Sequence, residues 1–70
     1  MNVGQAIINL RKAKGISQET LAFESGISRH FMYQLENNLA SPTVKTLEKL
    51  SAALATKPSV ILSEAENITE

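Results

Sequence analysis

The chain has 70 residues, of which 43% are apolar, and its seven Lys and Arg are balanced by seven acidic residues. That length allows one small domain with one compact core. The absence of Cys excludes disulfides and thiolate metal sites, and a single His makes a His-based metal site unexpected. We expect a cytoplasmic protein, because the chain shows neither a signal-peptide pattern nor an apolar stretch of membrane-spanning length.

The zero net charge hides an uneven distribution of charge along the chain. Residues 1–62 carry all seven Lys and Arg against four Glu, whereas residues 63–70 carry three Glu and no basic residue. The sequence therefore predicts a mildly basic domain over residues 1–62, followed by an acidic C-terminal tail over residues 63–70. A basic body is compatible with phosphate binding, although charge alone does not establish it.

Capping residues and glycines predict two helices in the first part of the chain. Asn2 is a suitable N-cap for the first helix, and Gly15 is a suitable residue to stop it. The second helix is expected to begin after Ser17 and to end at Gly26.

Three further helices follow, and no segment shows the alternation of a strand. Ser28 caps the third helix, which runs to about Asn37, and a loop leads to Thr43, the cap of the fourth. The fourth helix has one apolar face: Val44, Leu47, Leu50 and Leu54. A short fifth helix is expected over Pro58–Leu62, because Pro is favoured at the first helical position. The predicted fold class is therefore all-α, with five helices.

Residues 18–37 carry the pattern of a helix-turn-helix. The two helices are joined at Gly26 too tightly to lie antiparallel, so they must cross steeply, and the small Ala22 allows their backbones to approach. Apolar residues are available for the inner faces: Leu21, Ile27, Met32 and Leu35. A plain helical hairpin would also match several of these positions.

Over residues 3–62 the chain resembles the Cro/repressor-type helix-turn-helix family, also called the xenobiotic-response-element family. The matching residues are Gly4, Ile7, Leu10, Arg11, Gly15 to Gln18, Leu21, Ala22, Gly26 to Ser28, Met32, Leu35, Glu36, Ser41 to Thr43, Leu47 and Leu54. The stretch 41–54 and the pair Ser28-Arg29 are also similar to the small controller proteins of restriction–modification systems. Asn38 stands where the family usually has Gly, and Asn tolerates the same left-handed backbone. The resemblance implies a lambda-repressor-like fold of five helices.

The resemblance implies that the third helix enters the major groove of DNA. Its outward residues would then read bases: Arg29, His30, Tyr33 and Gln34. Arg29 and Gln34 are chemically the best readers, because Arg bonds guanine and Gln bonds adenine through two hydrogen bonds each. The alternative for this face is an ordinary solvated helix surface.

Contacts to the DNA phosphates are implied on both sides of the third helix. The candidate residues are Gln18, Ser28, Asn38, Ser41 and Lys45. Gln18 lies at a helix N-terminus, where the dipole favours an anion, and backbone N–H groups near Asn38 and Ser41 would also face phosphate. An ordinary surface role is the alternative for Gln18, and Lys45 is equally compatible with one.

Arg11 and Glu36 have a different role in the resemblance, which implies a structural ion pair between the first and third helices. We therefore do not interpret Glu36 as a general base. The chain has no Asp, its lone His has no evident nucleophile nearby in sequence, and it has no glycine-rich phosphate loop. We expect a protein that is not an enzyme and that has no cofactor and no metal.

The predicted function is that of a sequence-specific transcriptional regulator, a repressor or controller, bound to a palindromic operator in double-stranded DNA. One short domain makes few DNA contacts, so a homodimer is expected through Val60, Ile61 and Leu62. An antitoxin-like module that neutralises a protein partner, with DNA binding secondary, is the alternative. Only the residues after Leu62 are left over for such a partner, which favours the regulator.

Overall fold

The computed structural model describes residues 1–68, which form five helices and no strand. The helices are α1 (Val3–Ala13), α2 (Gln18–Ser25), α3 (Arg29–Glu36), α4 (Val44–Ala53) and α5 (Pro58–Asn67). The all-α prediction is confirmed. No helix within the described part of the chain is both long enough and apolar enough to cross a bilayer.

Side-chain caps determine where the first four helices begin. The side-chain oxygens of Asn2, Ser17, Ser28 and Thr43 each accept a hydrogen bond from the backbone N–H three residues further on, at 3.0–3.1 Å. These bonds satisfy N–H groups that have no partner within their own helix. The fifth helix begins with Pro58, which has no N–H to satisfy. All five starts are confirmed at the residues that the sequence predicts.

All five helices contribute side chains to one core. Its buried members are Ala6, Ile7, Leu21, Ala22, Met32, Leu35, Leu47, Leu50, Leu54, Ile61 and Ala65. Helix α1 packs on α5 and α3, whereas α2 packs on α3 and α4. The prediction that Val44 shares the buried face of α4 is wrong, because Val44 lies at the first residue of that helix and is 74% exposed.

The turn between α2 and α3 has the geometry that the sequence predicts. Gly26 caps α2 with a φ of 72°, a left-handed conformation that glycine adopts without steric cost. The backbone N–H of Ile27 donates to the carbonyl of Ala22 at 3.1 Å and closes the turn. Ala22 is 1% exposed, so its small side chain is buried within the fold.

The fifth helix does not end at Leu62, so that prediction is wrong. Residues 63–67 continue α5 instead of starting a tail, and Ala65 is fully buried because it follows Ile61 by one helical turn on the same face. The carbonyl of Ala65 accepts from the backbone N–H of Asn2 at 3.1 Å, and Glu64 accepts from the amide of Asn9 at 3.0 Å. The last two residues of the predicted tail, 69 and 70, lie outside the described residues.

The burial of residues on α5 changes which side chains can form the expected dimer surface. Ile61 is fully buried in the core of its own chain, so it has no surface left for a partner, and its assignment to a dimer interface is wrong. Val60 is 39% exposed and Leu62 is partly buried against the core. Val60 and, in part, Leu62 are thus the residues of this apolar triplet that remain available.

Replacing Ala65 by Leu tests whether residues 63–67 belong to the folded core. Because Ala65 is fully buried in the core, the larger side chain of Ala65→Leu is expected to lower the free energy of unfolding by roughly 1–3 kcal/mol. The melting temperature should fall by roughly 4–8 °C for each kcal/mol lost. Ala52→Leu on the exposed face of α4 is the matched control and should change little. Equal melting temperatures for both variants would contradict the packing of α5 described above.

Candidate nucleic-acid interface

The outer face of α3 carries the four predicted base readers together. Arg29 and His30 are exposed, Tyr33 is 50% exposed and Gln34 is partly exposed. At 100° per residue, the four side chains occupy an arc of about 140° around the helix. The remaining surface of α3 faces inward through Met32, Leu35 and Glu36. The structure therefore places the four residues on one continuous polar face, as the resemblance implies.

Arg29 has a neighbour that the sequence analysis did not identify. Its Nη1 lies 3.1 Å from Oε2 of Glu19, which is in the first turn of α2. Both side chains remain largely in solvent, at 72% exposed for Arg29 and 66% for Glu19. The two residues are ten positions apart and belong to different helices, so no helical spacing indicates the contact.

Arg11 and Glu36 form the ion pair that the resemblance implies. Nε of Arg11 donates to Oε2 of Glu36 at 2.8 Å, and Nη2 donates to Oε1 at 3.1 Å. The third nitrogen, Nη1, donates to the carbonyl of Ile16 at 3.2 Å. The side chains are only 13% and 2% exposed, so the pair is largely removed from water. It joins the C-terminal end of α3 to α1.

Gln18 also bonds to this pair, which the sequence analysis missed. Its Nε2 donates to Oε1 of Glu36 at 2.9 Å and so adds α2 to the connection between α1 and α3. The contact uses one of the two N–H bonds of the amide, and the second is left for a phosphate. The phosphate contact of Gln18 therefore remains a prediction, and its structural contact with Glu36 is an additional role.

Asn38 bonds to the first turn of α1, a contact that the sequence analysis did not identify. Its side-chain amide donates to Oδ1 of Asn2 at 2.8 Å, and its Oδ1 accepts from the backbone N–H of Gly4 at 3.0 Å. Its own backbone N–H donates to the carbonyl of Leu35 at 3.2 Å. Asn2 uses one of the two N–H bonds of the Asn38 amide, so the phosphate contact of Asn38 remains a prediction, as it does for Gln18. Its φ of 58° confirms the left-handed conformation expected at this position.

The start of α1 comes unusually close to the end of α3 at the same place. A Cβ atom on Gly4 would overlap the backbone carbonyl oxygens of Leu35 and Glu36. Gly4 is buried there, so a side chain could not turn away into solvent. Only glycine allows this approach, which brings Asn38 within reach of the first turn of α1.

The other phosphate candidates lie at the surface. Ser28 is exposed and its Oγ caps α3, which leaves its O–H free to donate, while Ser41 and Lys45 are exposed around the start of α4. Their contacts with DNA remain predictions. Over residues 1–68 no three His, Cys, Asp or Glu side chains are grouped so as to hold a metal ion.

These features define the class of protein. Helices α2 and α3 meet at a left-handed glycine and rest on three supporting helices, and α3 presents a polar outer face. This is the architecture of a helix-turn-helix domain. Comparison with known families agrees: the chain belongs to the helix-turn-helix family, whose model matches residues 7–61.

Three similar proteins give the family its context. The restriction–modification controller protein C.AhdI from Aeromonas hydrophila is 38% identical, with a TM-score of 0.83 over 86% of this chain and 91% of its own. The immunity repressor of Bacillus phage phi105 is 34% identical over all 70 residues. The transcriptional regulator SinR of Bacillus subtilis is 36% identical over 63 residues, or 89% of this chain. The family resemblance, including the similarity to controller proteins, is confirmed.

The relatives differ in length from this chain. The chain spans 49% of the phage repressor and 57% of SinR, so both relatives are considerably longer than this chain. By contrast, the match to the controller protein C.AhdI covers 91% of that protein's chain.

Removing either member of the Arg11–Glu36 pair is expected to destabilise the fold. Arg11→Ala or Glu36→Ala leaves the other charge buried without compensation, at a cost of up to about 3–5 kcal/mol. Because the second substitution removes a charge that is already unpaired, the double variant should lose less than the sum of the single losses. Urea unfolding measures all three, with Glu48→Ala at an exposed position of α4 as the control. Strictly additive losses would show that the pair contributes nothing as a pair.

Proposed function

We propose that this protein is a sequence-specific, DNA-binding transcriptional regulator of the repressor or controller type, which binds a palindromic operator as a homodimer. The observation that carries the proposal is the polar outer face of α3, held in place from behind by the bonds of Glu36 to α1 and α2. The names of the relatives support it, since they are a regulator, a repressor and a controller protein.

Base reading follows from the chemistry of the outer face of α3. With α3 in the major groove, the guanidinium of Arg29 donates to O6 and N7 of guanine, which no other base presents as two adjacent acceptors. The amide of Gln34 suits N6 and N7 of adenine. Tyr33 contacts a thymine methyl group or a phosphate, and His30 contacts a base edge or a phosphate.

Phosphate contacts orient the domain without reading sequence. The N-terminus of α2 supplies backbone N–H groups and the second N–H of Gln18, and the helix dipole favours a phosphate there. Exposed donors on either side of α3 come from Ser28, Asn38, Ser41 and Lys45.

The homodimer is assigned to α5 and its surroundings. Val60 remains exposed on this helix, and Leu62 is only partly covered by the core. A two-fold axis there requires two half-sites of opposite orientation, with centres roughly 34 Å, or about 10 base pairs, apart.

Selection of bound duplexes from a random DNA pool tests the function directly. We expect an approximately palindromic consensus with guanine within each half-site. A pool that shows no enrichment would contradict the proposal, and the antitoxin-like alternative would then be the better interpretation.

Arg29→Ala should weaken binding to the selected duplex far more than binding to a scrambled one. Loss of a good base contact costs about 1–3 kcal/mol, whereas non-specific binding depends on phosphate contacts. Titration of both duplexes at one fixed salt concentration measures the two effects. Lys45→Ala, which removes a predicted phosphate contact, is the control and should weaken both duplexes alike. If Arg29→Ala lowers both affinities equally, Arg29 contacts phosphate and does not read a base.

Val60→Asp should weaken self-association. A dimer with Val60 at its interface buries two copies of a side chain worth roughly 1.5–3 kcal/mol each, and Asp would bury two charges instead. Sedimentation at tens of micromolar measures the dimer fraction, with Val44→Asp as a matched control at an exposed Val on α4. A wild-type protein that sediments only as a 7.6 kDa species would contradict the homodimer.

A further inference from the structure

The contact between Glu19 and Arg29 crosses the groove between α2 and α3. That groove is open to solvent and is lined by Glu19, Thr20, Ala22, Phe23, Ile27 and Arg29. An ion pair as exposed as this one contributes little to the stability of a fold, since water screens its charges. The ion pair therefore matters mainly for the position of Arg29, which has the best chemistry for reading guanine.

The contact leaves part of the guanidinium available for a base. The contact joins Nη1 of Arg29 to Glu19, and the edge formed by Nε and Nη2 carries two parallel N–H donors that can face a base. Such an edge fits the O6 and N7 atoms of guanine. Arg29 can read guanine without leaving Glu19, and the ion pair limits the rotation of its long side chain before DNA arrives.

The same carboxylate opposes binding to the DNA backbone. Glu19 follows Gln18 at the start of α2, where phosphate contact is proposed, and a negative charge there repels phosphate. On a duplex without the right guanine, Arg29 contacts phosphate instead, and the nearby carboxylate of Glu19 repels that phosphate. The repulsion between Glu19 and phosphate therefore lowers the affinity for every DNA sequence. The orientation of Arg29 raises the affinity only for a sequence with guanine at the right position.

We propose that Glu19 is a specificity-determining residue, which orients Arg29 toward guanine and weakens its capture by phosphates. The proposal rests on the proposed function, because it presupposes that α3 reads DNA. Specificity is a difference between two affinities, and Glu19 increases that difference mainly by lowering the affinity for incorrect sequences.

Glu19→Gln tests the proposal, because it removes the charge and keeps the size of the side chain. Titrations use the duplex selected by the wild-type protein and a scrambled duplex. We expect affinity for the scrambled duplex to rise roughly three- to tenfold and its logarithmic salt slope to steepen by up to about one. Affinity for the selected duplex should change by less than about twofold, since the lost orientation offsets the lost repulsion. The melting temperature should stay unchanged, because the pair is exposed.

Two controls separate this mechanism from a general effect of charge. Glu24→Gln makes the same charge change at another exposed position of α2 and should leave the ratio of the two affinities as in the wild type. Introducing Glu19→Gln into the Arg29→Ala variant should also leave that variant's ratio unchanged, because Glu19 acts through Arg29.

The outcomes distinguish this proposal from the proposed function. If the wild-type protein discriminates between the duplexes and Glu19→Gln leaves its ratio unchanged, only the role of Glu19 is overturned. The same holds if Glu24→Gln lowers the ratio equally, or if Glu19→Gln lowers it without Arg29. A wild-type protein that binds both duplexes equally would overturn the proposed function and the role of Glu19 together.

Discussion

The buried carboxylate of Glu36 is the interaction on which the arrangement of the first three helices depends. A charge that is almost completely removed from water is tolerated only when opposite charge and hydrogen-bond donors surround it. Arg11 supplies two donors from α1 and Gln18 supplies one from α2. The three helices must therefore meet in one geometry, and the orientation of the outer face of α3 follows from that requirement.

Signals that act over one helical turn could be predicted from the sequence with good accuracy. The caps at Ser17, Ser28 and Thr43 bond residues only three positions away, so their effect can be recognised in the local sequence. The end of α5 could not be predicted in this way. Residues 63–67 are mostly polar, and the apolar face of the helix continues through Ala65 alone, whose small side chain gives only a weak signal.

In the candidate site, too, the features that depend on one helix could be predicted from the sequence, and the contacts between helices could not. Helical periodicity predicts which side chains of α3 face outward, because that depends on one helix only. The partners of Gln18, Arg29 and Asn38 lie on other helices, and their contacts depend on how those helices pack. Asn38 shows the difference most clearly, since the sequence predicts its backbone conformation but not its bonds to the first turn of α1, more than thirty residues away.

The packing of α1 on α5 has a consequence for how the chain acquires its structure during synthesis. Helix α1 has its most extensive contact with α5, yet residues 14–57 separate the two. A growing chain that has released α1 to α4 therefore still lacks the surface that covers α1 and the carbonyl of Ala65 that binds the N–H of Asn2. Because domains generally fold as units, we expect this one to fold after α5 has left the ribosome and not helix by helix during translation.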